Sequence, residues 1–158
     1  MAPSEGERAP DFEALLCDGE TFRPANLDDV LSAAGGVVVF SAFAHSAIAE
    51  NWWGRYDRAG WDEFGVPVVG VFPDGPYSVN AFARGIDSPF EFFADVNDAA
   101  AGAFDLLSER DGMGGTRTAR RAAFVLEGDR SVAYAWIADD WISPSPRTEI
   151  EEAISDLG

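Results

Sequence analysis

Gly35-Gly36-Val37-Val38-Val39-Phe40-Ser41-Ala42-Phe43-Ala44-His45-Ser46-Ala47-Ile48-Ala49-Glu50 passes from a β-branched apolar run into a turn and then into the start of a helix. Val37 to Phe40 shows no polar alternation, as expected of a strand covered on both faces. Ser46 is placed to cap the following helix, and Glu50 lies near the positive end of its dipole. Ile48, Trp52, Arg55/Tyr56 and Ala59 recur at helical spacing, so the helix is expected to run from Ser46 to about Phe64. Pro67 to Phe72 reads as a second buried strand. Two buried strands joined by a long helix imply a right-handed parallel crossover.

Upstream, Phe12 to Leu16 and Phe22 flank Asp18-Gly19, the signal of a hairpin. Pro24 to Leu31 reads as a short helix with Asn26 as its cap. Downstream, Tyr77 to Gly85 is expected as a helix, Phe90 to Ala94 as a short strand and Asn97 to Leu107 as an alanine-rich helix. Asp111 to Thr116 reads as a flexible loop. Arg121 to Leu126 and Ser131 to Ile137 read as antiparallel strands joined at Glu127 to Arg130, and Pro144 to Leu157 as a closing helix. No repeat or linker divides the chain, so one domain is expected over residues 1–158. The implied class is α/β: a central mixed sheet with helices on both faces and an N-terminal β-hairpin, an arrangement that resembles the thioredoxin-like sandwich.

The formal net charge is −17, from 28 acids against 11 bases, and every base is arginine. Such a surface repels phosphates and anionic lipid, so neither nucleic acid nor a membrane is expected as a partner. A lysine-free, acid-rich composition resembles that of proteins from extreme halophiles, where salt screens the self-repulsion. Met1 to Gly6 lack the charged-then-apolar pattern of a signal peptide, and the expectation is a soluble cytoplasmic protein. Cys17 is the only cysteine and His45 the only histidine. An intramolecular disulfide, a multi-thiolate zinc cluster and a two-histidine metal site are therefore all excluded, and neither cofactor nor metal is expected.

Ala9-Pro10-Asp11-Phe12, the Asp18-Gly19 turn, the strand-to-helix segment and Arg121 before Ala122-Ala123-Phe124-Val125-Leu126 occur in the order seen in peroxiredoxins. The chain resembles the alkyl hydroperoxide reductase/thiol-specific antioxidant group over nearly its whole length. The resemblance implies a cytoplasmic antioxidant oxidoreductase that reduces peroxides through a thiol. That group carries Pro-x-x-x-Thr-x-x-Cys where strand meets helix, often with Phe before Thr and Glu three residues after Cys. With Phe43 and Glu50 matched to the latter two, Phe40 stands at the Pro position, Ala44 at the Thr position and Ala47 at the peroxidatic Cys position, while Arg121 matches the downstream Arg. Alanine carries neither nucleophile nor hydroxyl. The chain is thus expected to be silent at the family's site, with a binding or association role.

Other residues compete for function. Cys17 is either a relocated thiol, which would make the chain an active thiol peroxidase or thiol–disulfide oxidoreductase, or a small core residue. His45 and Ser46 offer a base and a nucleophile, but neighbours seldom meet in the needed geometry. Arg121, with His45 and Ser46 beside it, is a candidate for a small anion at the helix N-terminus; alternatively Arg121 pairs with Glu50 or Asp57. The aromatic surface near Phe43 and Trp52/Trp53 is expected to hold a homodimer together.

Overall fold

The computed structural model describes residues 1–157. The Asp18-Gly19 turn joins β1 (Glu13–Cys17) to β2 (Phe22–Asn26) as an antiparallel hairpin. A single helical turn follows, α1 (Leu27–Val30), shorter than the sequence suggests because Pro24 remains within β2. Asn26 sits at its N-cap position without a side-chain cap bond. Asp11 supplies the capping oxygen instead, accepting from the Asp28 N–H (3.0 Å) and from Asn26 Nδ2 (3.2 Å).

The deciding segment forms β3 (Gly36–Phe40) and α2 (Ala47–Arg58), and the chain returns as β4 (Val68–Phe72) in parallel register with β3. The helix does not reach Phe64. Gly60, at φ 80°, takes the left-handed conformation that breaks it, and Trp61–Glu63 continue as a short 3₁₀ turn. Then come α3 (Pro76–Gly85), β5 (Glu91–Ala94) and α4 (Ala99–Ala103). The expected Asn97–Leu107 helix is cut to five residues. Its start is set by the buried Asp95 carboxylate, which accepts from the N–H groups of Ala100 and Ala101 (2.9 Å each). Leu107 instead opens β6 (Leu107–Glu109), paired with β7 (Arg117–Ala119), so the loop expected at 111–116 forms the tip of a hairpin. β8 (Ala122–Leu126), β9 (Val132–Ile137) and α5 (Arg147–Ser155) complete the chain.

One seven-stranded mixed sheet runs β2-β1-β5-β4-β3-β8-β9. On one face, Leu27 of α1 and Ala100 and Ala101 of α4 pack on Val38, Val69 and Phe124. On the other, α2, α3 and α5 bring Trp53, Phe82 and Ile150 against Val37, Phe72 and Val125. The class expected from the sequence is the class found. No helix among the described residues is long and apolar enough to cross a membrane.

Three ion pairs lie within 4 Å among the described residues: the N-terminus with Asp105, Arg120 with Asp139 and Arg130 with Asp28. Most of the 28 acids are therefore uncompensated, and their mutual repulsion is screened only by salt. The thermal midpoint should rise steadily from dilute buffer to molar potassium chloride; a flat or falling midpoint would contradict this.

Candidate functional site

The end of β3 and the start of α2 make the floor of a pocket. Phe40 lies opposite Ala122, which places Arg121 beside the turn that follows β3. In that turn the Ala44 N–H donates to Asp74 Oδ1 (2.9 Å), and burial raises the Asp74 pKa. His45 adopts φ 66°, a conformation that non-glycine residues rarely take. Ser46 caps α2 as expected: its Oγ accepts from the Ala49 N–H (3.2 Å) and donates to the Phe43 carbonyl (2.8 Å).

Ile48, Ala49, Trp52 and Tyr56 of α2 face Arg121, and β9 and the segment after it add Trp136 and Trp141. Together with Phe40, Ala42 and Ser46 they enclose a cavity of about 70 Å³. Arg121 is only 6 % exposed. Its Nη1 donates to the Ser143 carbonyl (2.6 Å), and its guanidinium carbon lies 5.9 Å from the Trp52 ring and 5.7 Å from the Trp136 ring. Burial pulls its pKa down, opposed by the fields of Tyr56 and Asp140. It makes no ion pair with Glu50, Asp57 or any other carboxylate among the described residues. A second cation, Arg110 at the β6–β7 hairpin, stacks on Trp141 (4.1 Å) and reaches over Phe43 (5.7 Å).

Ala44, His45, Ala47 and Cys17 fall outside this arrangement. Ala47 is exposed to solvent, whereas Ala44 is buried in the core shared by α2 and α3. His45 turns away, its Nε2 3.1 Å from the Ser78 carbonyl and its ring edge-on to Phe82. The Ser46 hydroxyl is spent on its cap, so the pair forms no base–nucleophile couple. Cys17 is 0 % exposed on β1, and burial raises its thiol pKa to about 11. Trp53 belongs to the core, at 1 % exposed, and Trp52 is half-buried in the pocket wall. Trp136, Trp141 and Arg110 were not singled out by the sequence, because nothing local marks them as neighbours of Arg121.

A model of the AhpC/TSA family matches residues 6–135. The chain belongs to the AhpC/TSA family. Solved structures agree with that family's fold. Peroxidoxin BcpB from Mycobacterium tuberculosis superposes with a TM-score of 0.77 at 21% identity, covering 98% of this chain and 96% of that one. Enterococcus faecalis AhpC gives a TM-score of 0.78 at 23% identity, with 98% and 92% covered. A mutant of the peroxiredoxin 6 of Arenicola marina gives 0.83 at 18% identity, with 99% and 74% covered. No curated protein sequence matches the chain. Within the family's Pro-x-x-x-Thr-x-x-Cys spacing, Ala42, Ser46 and Ala49 stand at the same intervals, and all three line the pocket with Arg121.

Proposed function

We propose that this AhpC/TSA-family protein is a catalytically silent peroxiredoxin scaffold whose former active site binds a small anion. The observation that carries the reading is the wall facing Arg121, which holds Ala49 and no thiol. The register is taken two residues downstream of the one suggested by Phe43 and Glu50. Ala42 then takes the Pro position, Ser46 the Thr position with a hydroxyl retained, and Ala49 the Cys position. A thiol peroxidase attacks with a thiolate. Cys17 is poorly placed to serve as that thiolate: it is 0 % exposed on β1, and burial raises its pKa to about 11. Its sulfur is 3.7 Å from the Leu15 carbonyl, on β1 rather than beside Arg121.

The test is hydrogen peroxide consumption in molar salt with dithiothreitol as reductant. Wild type and Cys17→Ser should both match buffer. Turnover that disappears in Cys17→Ser would replace this reading with that of an active one-cysteine peroxidase.

A further inference from the structure

We infer that the Arg121 pocket takes a short apolar monocarboxylate, its carboxylate on the guanidinium and its hydrocarbon tail among the tryptophans. This deepens the anion-binding reading above and rests on it.

Arg121 is 6 % exposed and carries a full charge, yet among the described residues its side chain hydrogen-bonds to one carbonyl, that of Ser143. A buried cation is costly unless paired and fully hydrogen-bonded. The carboxylate whose field reaches it, that of Asp140, is already engaged by the N–H groups of Ile142 (3.0 Å) and Ser143 (2.7 Å) and by the Ser143 hydroxyl (2.5 Å). The guanidinium therefore keeps donors for an acceptor-only anion, and a carboxylate matches its planar fork. The N-terminus of the twelve-residue α2 adds positive potential on the same side, and Arg110 adds a second cation at Trp141.

The rest of the wall decides the class of anion. Val39, Phe40, Ile48, Trp52, Trp136 and Trp141 offer mainly hydrocarbon and ring surface. Sulfate or phosphate would place most of its oxygens against that surface, where the unpartnered Trp52 Nε1 offers a single further donor, at the cost of their hydration. A carboxylate with an alkyl tail has one polar end and one apolar end, as the pocket does. The volume of about 70 Å³ has room for about five waters, or a solute of about five non-hydrogen atoms, which is the size of propionate.

The experiment titrates the full chain in potassium chloride with potassium propionate, potassium sulfate and propan-1-ol. Backbone amides of Ser46 and Ala49 and the indole N–H signals of Trp52 and Trp136 are followed by NMR. Propionate should give saturable shifts confined to these residues, with a dissociation constant of about 1 mM. Sulfate should bind at least about tenfold more weakly, and propan-1-ol, which lacks the charge, should not saturate. Arg121→Gln should lose the response. Because removing a buried cation can unfold the chain, Ile48→Trp provides a second test: it narrows the pocket, leaves Arg121 in place, and should also weaken propionate at least about tenfold. Sulfate binding as tightly as propionate, or no saturation by about 50 mM, overturns the inference. Peroxide turnover in the same sample separates the two claims: turnover with propionate binding sinks the silent-scaffold reading alone, silence with sulfate bound and propionate unbound sinks this inference alone, and silence with neither bound sinks the anion-binding reading as well.

Discussion

Ala49→Cys, placed in a Cys17→Ser background, should consume hydrogen peroxide at least about a hundredfold faster than Ala47→Cys in the same background. Ala49 lines the pocket with Arg121, whereas the Ala47 side chain lies in solvent. A thiol at the first position would sit near the α2 N-terminus and a buried guanidinium, both of which favour the thiolate. Its sulfur would attack one peroxide oxygen, the O–O bond would break, and sulfenic acid and water would result; dithiothreitol then returns the thiol. A thiol at the second position has only the helix terminus and bulk water, and should react like a free thiol. A larger thiolate fraction contributes about tenfold of the difference. Alignment and charge stabilisation of the leaving oxygen supply the rest. Equal rates in the two variants would mean that facing Arg121 confers nothing, and the proposed register would fall with it.

Trp53→Ala should destabilise the protein by about 3–5 kcal/mol, the range for losing a large buried aromatic. Trp53 is 1 % exposed, and its ring meets those of Tyr56, Phe72, Phe90 and Phe92 at centroid distances of 4.8 to 6.3 Å. It also holds the end of β3 to α2, because its Nε1 donates to Ser41 Oγ (3.2 Å). Gly70 on β4 shows how closely the ring is seated: a Cβ there would lie 2.5 Å from Trp53 Cζ2. No collapse of the neighbours fills that space, since β4 is hydrogen-bonded on both sides. At about 2–4 °C per kcal/mol for a chain of this size, the thermal midpoint in high salt should drop by roughly 6–20 °C. A drop smaller than about 2 °C would show that the core repacks around the loss.

The strand–helix–strand unit was legible because its signals are long and mutually consistent: Val37 to Phe40 and Val68 to Phe72 are uninterrupted apolar runs, and α2 carries a clear 3.6-residue period between them. Misreadings arose where a single backbone or tertiary feature overrode local preference. Gly60 at φ 80° ended a helix whose apolar spacing continued past it. The alanine run at 99–103 has helical propensity, but Leu107 to Glu109 gain ladder bonds to Arg117 to Ala119, a pairing no local window reveals. At the site, Arg121 and the Ser46 cap could be found by motif and by position. The choice between Ala47 and Ala49 could not, because a motif that has lost its Pro and Cys slides along a run of small residues. The helix phase that turns Ala49 inward and Ala47 outward becomes visible only when α2 is docked. Trp136 and Trp141 are distant in sequence and arrive through the β8–β9 ladder.

On the proposed reading the pocket keeps the cation and the helix terminus of a peroxide-reducing site and lacks its sulfur. Titration of the single thiol in Cys17→Ser/Ala49→Cys, followed by thiolate absorbance in molar potassium chloride, measures this directly. The account predicts a midpoint well below the ordinary thiol value of about 8.5, and a return toward that value when Arg121→Gln is added. A midpoint at or above about 8.5 with Arg121 present would contradict it.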